Sequence, residues 1–288
     1  MDLNHYAPQE PMSPIGAAYH QRVMAQGQAV QGLEFSYGAN TYQSLTVFPA
    51  QTPTGEVLVF FHGGGWTNGY KEWMHFMAPA LVACGVTLVC PGYRLAPGHV
   101  FPACRDDAAD AVSWVAANIG PHGGDPQRLF VGGHSAGGHL AALLAVTQGW
   151  RTARQLPPQV LQGCLPVSGV YRFGAGSGLS IRPRFLGPAD DGAAEHEASP
   201  VRVLTPAACP SFFIAHGEKD FPHLVSQAQE MCHELERRGV AVERMVLKNC
   251  DHFDASLACG VEEADGWPER AATWMRRTGR FDQQNPPQ

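Results

Sequence analysis

The segment LFVGGHSAGGHLAALLA, residues 129–145, decides the fold of this chain. A short apolar run, 129–132, leads into a serine between glycines, and the alanine- and leucine-rich run that follows favours a helix. Gly133 and Gly137 lie two positions before and after Ser135, as in the G-x-S-x-G turn, where small residues let a strained chain cross itself closely. The segment therefore predicts Ser135 as a nucleophile on a sharp turn between a β-strand and an α-helix.

Short apolar runs bounded by glycine, proline and asparagine extend outward from this segment, and beyond about residue 60 they alternate with segments of helical periodicity. Such alternation is typical of βαβ units and predicts an α/β fold with a mostly parallel, eight-stranded sheet flanked by helices. The first two strands, joined by a tight turn, favour an antiparallel hairpin at the sheet edge. The predicted strands are 33–37, 43–48, 57–61, 87–91, 129–132, 163–167, 212–216 and 240–246.

Apolar side chains at helical spacing predict helices within 108–119 and 224–235. We expect a single catalytic domain over 33–280, preceded by an N-terminal arm, 1–32, and followed by a loose tail, 281–288. Residues 172–200 are rich in glycine, proline and charge, and loops of that length commonly cover binding sites. The arm and this insertion are therefore predicted to form a small lid.

Composition narrows the classes of partner. The formal charge is −6 and the basic residues are scattered singly, which excludes a phosphate backbone or an anionic membrane as the expected partner. The eight cysteines lack C-x-x-C spacing and favour small buried side chains. The chain has no secretory-type N-terminal pattern and no run of about 18 apolar residues, so we expect a cytoplasmic location.

A serine nucleophile needs a base, and the base needs an acid to orient it. In the fold predicted here, the acid and then the base follow late strands. Asp220 comes shortly after the strand 212–216 and is the predicted acid, with Glu218 as the alternative. His252 follows the last predicted strand and is the predicted base.

A run of glycines, HGGGW at 62–66, follows the apolar strand 57–61 directly. Glycine lets backbone N–H groups turn toward a ligand, so Gly63 or Gly64 should join the N–H of Ala136 in an oxyanion hole. A phosphate-binding loop would require a G-K-[ST] ending, which this run lacks.

The remaining histidines and several aromatic residues are assigned to the walls of the site. Trp66, His134 and Tyr171 are the predicted substrate-pocket residues, and the site is predicted to hold no metal because H-E-x-x-H spacing is absent. His62 and His139 are interpreted as structural or pocket residues. Further aromatic residues that could line an aryl-binding site are Tyr70, Trp73 and Phe76.

With these residues, the chain resembles the α/β-hydrolase superfamily over about 33–278, and within it the HGGG-bearing esterases related to hormone-sensitive lipase. A narrower resemblance to kynurenine formamidase-like hydrolases maps their triad onto Ser135, Asp220 and His252. It is carried by segments 133–140, 167–171, 199–200 and 251–254 and by the helix that contains Gln227. Many members of that branch have a bulkier residue where this chain has Gly65.

The residues and the resemblance together predict a cofactor-free serine hydrolase that cleaves small or aryl carboxylic esters through an acyl-enzyme. Hydrolysis of an arylformamide such as N-formylkynurenine is the alternative, because it uses the same catalytic side chains. A noncatalytic binding protein on the same fold is the distant alternative, since such proteins usually lose a triad member. The expected partner is a small ester or formamide, and a homodimer is left open.

Overall fold

The computed structural model describes residues 3–179, 184–188, 192–263 and 265–284. Its strands are β1 (Leu33–Ser36), β2 (Ser44–Phe48), β3 (Gly55–Phe61), β4 (Thr87–Pro91), β5 (Gly124–His134), β6 (Leu161–Val167), β7 (Ser211–Gly217) and β8 (Val242–Leu247). They form one sheet in the order β1-β2-β4-β3-β5-β6-β7-β8. β2 pairs antiparallel with β1 and β4, whereas every pairing from β4 to β8 is parallel.

The helices of the described residues lie between and around these strands. They are α1 (Pro14–Gly27), α2 (Ala78–Ala83), α3 (Ala103–Asn118), α4 (Ala136–Val146), α5 (Gly149–Ala153), α6 (Ala193–Glu197), α7 (Pro200–Val203), α8 (Pro222–Arg237), α9 (His252–Leu257) and α10 (Trp267–Gln284). Short 3₁₀ helices span Lys71–Met77, Gly120–His122 and Ala258–Gly260. None of the described helices is both long enough and apolar enough to cross a bilayer.

The sheet separates two hydrophobic cores, because alternate residues of a strand face opposite sides. In β3, Val57, Val59 and Phe61 pack in one core, and Leu58 and Phe60 pack in the other. The first core is closed by α3, α4 and α8, and the second by α1, α2 and α10. The predicted α/β class, the eight strands and the flanking helices are thus confirmed.

Several strand ends differ from the prediction, and hydrogen bonds to neighbouring segments explain those of β5 and the start of β8. β5 is longer than 129–132 since its ends pair with other strands, Gly124 with Gly55 of β3 and His134 with Val167 of β6. β8 begins later than 240 because the N–H of Val240 bonds to the carbonyl of Leu235 at the end of α8. The predicted antiparallel hairpin is present as β1 and β2 at the sheet edge.

The structure describes part of each end of the chain. The arm 1–32 contains α1, whose N-cap is Ser13, and the Ser13 hydroxyl accepts a hydrogen bond of 3.2 Å from the N–H of Gly16. Residues 281–284 of the predicted tail, 281–288, belong to α10. Residues 1–2, 180–183, 189–191, 264 and 285–288, which include parts of the predicted arm, insertion and tail, lie outside the described residues.

Candidate active site

The turn after β5 places Ser135 at the carboxyl edge of the sheet. Ser135 has φ 54° and ψ −116°, a conformation that a residue with a side chain adopts only under strain. A Cβ on Gly133 would lie 2.3 Å from the carbonyl carbon of Gly137, and one on Gly137 would lie 2.1 Å from the Phe61 oxygen. Only glycine fits at either position, which is the close crossing expected of a nucleophile turn.

Five neighbouring parallel strands, β3, β5, β6, β7 and β8, end at this edge. Their carboxyl ends bring together the glycine loop, Ser135, Ser168, Asp220 and His252. Ligands of open α/β sheets bind at this edge because loops from several strands converge there. The segments that carry the predicted residues are far apart in the chain, so the sheet order is what makes them neighbours.

A continuous chain of hydrogen bonds joins the three predicted catalytic side chains. The Ser135 hydroxyl lies 3.0 Å from Nε2 of His252, and Nδ1 of His252 lies 2.9 Å from Oδ1 of Asp220. His252 is the first residue of α9, whose N-cap Asp251 accepts the N–H groups of Phe253 and Asp254 at 2.9 Å. With Nδ1–H donating to Asp220, Nε2 is the acceptor that faces the serine hydroxyl.

The Asp220 carboxylate is stabilised in its charged form. Burial alone would raise its pKa, but the hydrogen bond and charge of His252, with donors from Ser168 and Phe221, hold the pKa well below its usual range. The Phe221 N–H donates to Oδ1 at 2.7 Å, and the Ser168 hydroxyl donates to Oδ2. The alternative acid, Glu218, instead accepts the N–H of Asn249 at 2.8 Å, and the structure thereby brings Asp220 and not Glu218 to the base.

Ser168 is a site residue that the sequence analysis did not assign. It is buried, with φ 51°, and follows β6 directly. Its position one residue after a parallel strand, beside the nucleophile strand, is the signal that could have identified it. A hydroxyl there satisfies the carboxylate oxygen that His252 does not contact.

The glycine loop places backbone donors beside the serine. A Cβ on Gly63 would lie 3.2 Å from the Cβ of Ser135, so the loop and the nucleophile are in contact. Within the described residues, the N–H groups of Gly63 and Gly64 have no backbone partner, and the N–H of Ala136 is at the first turn of α4, where N–H groups lack intrahelical acceptors. Gly64 also requires glycine, having φ 109°. The predicted oxyanion residues therefore lie together with free donors.

A cavity of about 540 Å³ opens beside Ser135 and His252. The arm contributes one wall and the rest comes from loops after the strands. Besides the serine and histidine, its lining residues are Pro11, Met12, Ser13, Gly16, Tyr19, Gly64, Gly65, Thr67, Asn68, Trp73, His134, Arg184, Phe221 and Phe253. Arg184 of the insertion forms an ion pair with Glu10 of the arm, so the two segments predicted to form the lid are in contact.

The predicted pocket residues are only partly on this wall. His134 lines the cavity, where its Nε2–H donates to the carbonyl of His252 at 2.9 Å. Trp66 and Tyr171 do not line it, because both side chains are buried in the first hydrophobic core. Of the other aromatic candidates only Trp73 reaches the cavity, and the aromatic wall comes largely from Tyr19, Phe221 and Phe253.

The buried histidines around the serine are neutral. Burial, together with the nearby His252, lowers the pKa of His134 to about 3. Burial likewise lowers the pKa of His62 to about 4. Among the described residues, no group of three or more histidine, cysteine, aspartate or glutamate side chains is arranged to hold a metal ion.

The sheet is mostly parallel, and a serine, a histidine and an aspartate are in hydrogen-bond contact at its carboxyl edge. This combination places the chain in the class of α/β-hydrolase folds. A family model described as alpha/beta hydrolase fold matches residues 58–254, and the chain belongs to that family. The resemblance drawn from the sequence is thus confirmed for the α/β-hydrolase superfamily, whereas the kynurenine formamidase branch stays a prediction.

Named relatives of the chain are esterases. Esterase LipQ of Mycobacterium tuberculosis is 30% identical over 215 residues, which cover 69% of this chain and 50% of LipQ. The probable isoprenylcysteine alpha-carbonyl methylesterase ICME of Oryza sativa subsp. japonica is 25% identical over 240 residues, which cover 77% of this chain and 58% of that protein. The chain spans about half the length of the curated relatives it matches.

The solved structure of EstE1, a thermophilic carboxylesterase cloned from a metagenomic library, superposes with a TM-score of 0.74. It is 21% identical and the match covers 93% of this chain and 98% of EstE1. At this identity the likeness shows the shared fold.

Proposed function

We propose that this protein is a serine hydrolase that cleaves carboxylic esters through an acyl-enzyme intermediate. The observation that carries the proposal is the unbroken hydrogen-bond chain from the Ser135 hydroxyl through His252 to Asp220. The names of the relatives, esterase and methylesterase, support ester hydrolysis as the reaction.

The geometry performs this reaction in two halves. Ser135 Oγ attacks the ester carbonyl while Nε2 of His252 takes the hydroxyl proton, and Asp220 stabilises the imidazolium that forms. The negative oxygen of the tetrahedral intermediate accepts hydrogen bonds from the N–H groups of Gly63, Gly64 and Ala136, and loss of one such donor typically costs about 3 kcal/mol in the transition state. His252 then protonates the leaving alcohol, and the acyl group remains on Ser135.

In the second half, His252 removes a proton from a water molecule that attacks the acyl-enzyme. The same donors hold the second tetrahedral oxygen, and collapse returns the proton to Ser135 and releases the carboxylic acid. The reaction needs no cofactor, because each proton moves between the serine, the histidine, water and the two products.

Replacement of the nucleophile tests the proposal. We expect Ser135→Ala to lower kcat for p-nitrophenyl acetate by at least about 10³-fold, because the remaining groups bind substrate without forming an acyl-enzyme. Ser36→Ala, at an exposed position of β1, is the matched control and should keep full activity. Equal turnover by the Ser135 variant and the wild-type protein would remove the proposed function.

Formamide hydrolysis would use the same side chains, so the triad does not distinguish it from ester hydrolysis. Turnover of N-formylkynurenine measured beside that of p-nitrophenyl acetate separates the two, and a large preference for the formamide would reverse the order proposed here. The small-molecule partner, the cytoplasmic location and the homodimer left open by the sequence stay predictions.

A further inference from the structure

Trp66, which the sequence assigned to the substrate pocket, has a different environment. Its indole N–H donates to Nδ1 of His139 at 3.1 Å, and Nε2–H of His139 donates to the carbonyl of Ala198 at 2.7 Å. His139 is on α4, four positions after Ser135, and Ala198 follows α6 in the insertion. One imidazole thus connects the loop that holds the oxyanion donors, the nucleophile helix and the insertion.

This bridge requires one protonation state of His139. A neutral imidazole with its proton on Nε2 is at once an acceptor for Trp66 and a donor to Ala198, whereas a protonated imidazole would set two N–H groups against each other. His139 is completely buried, and burial lowers its pKa to about 4 despite the opposing effect of the Ala198 carbonyl. The bridge is therefore complete at neutral pH.

The ring of Trp66 is held as firmly as its N–H. It stacks on Phe185 with 4.3 Å between ring centroids and an interplanar angle of 16°, and its carbonyl accepts the N–H of Ala96 at 2.9 Å. Trp66 has φ 62°, a left-handed conformation that a tryptophan keeps only when its surroundings impose it.

The glycine loop before Trp66 is held by a backbone turn and by Trp66 itself. The Gly64 carbonyl accepts the N–H groups of Thr67 and Asn68 at 3.2 and 3.0 Å, which closes a turn around Trp66. A Cβ on Gly65 would meet no atom of the described residues within 4 Å, so Gly65 is held through its neighbours Gly64 and Trp66 and not by its own packing. Backbone with positive φ at Gly64 and Gly65 has many alternatives in the absence of a restraint, since glycine has access to most of φ/ψ space.

We propose that His139 and Trp66 are positioning residues that hold the N–H groups of Gly63 and Gly64 at oxyanion distance from Ser135. This inference rests on the proposed function, because an oxyanion hole matters only where a tetrahedral intermediate forms. Neither side chain touches the substrate, and both act through the backbone of the glycine loop.

Trp66→Phe tests the inference, because it removes the N–H and keeps an aromatic ring. We expect kcat for p-nitrophenyl acetate to fall about tenfold with KM within about twofold, since a displaced donor weakens the transition state and not the ground-state complex. The inhibition constant of phenylboronic acid, which forms a tetrahedral adduct on serine, should rise by a similar factor. Trp66→Phe with kcat and the inhibition constant both within twofold of wild type would overturn the inference.

Trp150→Phe is the matched control. Its indole N–H also donates to a buried acceptor, the carbonyl of Leu144 at 2.9 Å, but at the end of α4 remote from Ser135. It should lower the unfolding temperature and leave kcat unchanged. An equal loss of kcat in Trp150→Phe would mean that loss of any buried indole hydrogen bond disturbs the whole fold. That result would contradict a positioning role for Trp66.

His139→Phe and the double variant test whether the bridge acts as one unit. The double variant should be no slower than the slower single variant within about twofold, because both substitutions break the same connection. His139→Gln has both an acceptor and a donor on its amide and should recover part of kcat. Losses that multiply, or no recovery by glutamine, would overturn the bridge. Wild-type protein without ester turnover would instead contradict the proposed function, which separates the two failures.

Discussion

Asp220 differs from the other loop carboxylates in the number of donors that reach it. It accepts hydrogen bonds from His252, Ser168 and the N–H groups of Phe221 and Gly217, the last at 3.4 Å. These donors favour the charged form over the neutral one and hold the His252 ring with Nδ1–H toward the carboxylate. The orientation of His252 therefore depends on all the donors that bind Asp220.

Asp220→Asn should lower kcat for p-nitrophenyl acetate by about 10³- to 10⁴-fold with little change in KM, since an amide favours the wrong tautomer of His252. Glu218→Gln, two positions away and outside the hydrogen-bond chain, should stay within about twofold of wild type. Steady-state kinetics of the two variants decide between the carboxylates. A larger loss from the Glu218 variant would assign the acid to that residue.

At the scale of elements, α1 of the arm contacts α9, the helix that carries the catalytic His252. The Tyr19 hydroxyl is 2.7 Å from Oγ of Ser256 in α9, and the Trp73 indole N–H donates to Nδ1 of His20 at 2.8 Å. Gly16 is on the cavity side of α1, and among the described residues a Cβ there would meet only Ser13 Oγ at 3.3 Å and Met12 Cβ at 3.8 Å. The helix therefore sets the size of the cavity.

Gly16→Leu should narrow the cavity from this wall. We expect kcat/KM for p-nitrophenyl octanoate to fall about tenfold relative to that for p-nitrophenyl acetate, the discrimination that a few methylene groups produce in an apolar pocket. Ala18→Leu, on the exposed side of the same helix, is the control and should leave the ratio unchanged. If the two variants show the same octanoate-to-acetate ratio, α1 does not bound the substrate.

Across the whole molecule, the two cores on either side of the sheet contain several neutral histidines. Burial lowers the pKa of each below its ordinary value, to about 3 for His134 and about 4 for His62, His75 and His139. In the unfolded chain these imidazoles titrate near 6.5. Between about pH 4 and 6.5 the unfolded state therefore binds more protons than the folded state.

Because the unfolded state binds more protons, the free energy of unfolding should be highest above about pH 6.5 and should decrease as the pH falls toward 4. The four pKa shifts have the same sign, so their effects on the free energy of unfolding add as the pH decreases. Urea unfolding at a series of pH values measures the slope, and His75→Gln should reduce it. Equal free energies of unfolding at pH 7 and pH 4.5 would contradict the prediction.

The features predicted correctly from sequence have local causes. The Gly133–Gly137 turn is recognisable because its backbone leaves no room for a Cβ, and strands such as β3 are recognisable because alternate residues enter two cores. Candidates for acid and base followed from their places after late strands. The choice between Asp220 and Glu218 depended on which carboxylate the turn after β7 directs toward His252, and two residues of spacing do not specify that.

Residues whose roles depend on several distant segments were assigned incorrectly or overlooked. Trp66 and Tyr171 were expected on the cavity wall because they are aromatic and near the motifs, but both are buried in the first core, where Trp66 stacks on Phe185 of the insertion. Tyr19, Phe253 and Ser168 reach the site because α1, α9 and the end of β6 converge there. Steric limits on the backbone act between residues that are close in the chain, so the sequence by itself determines features such as the nucleophile turn. The walls of a cavity are formed by side chains that become neighbours only after the helices and the sheet have packed, so only the tertiary structure determines them.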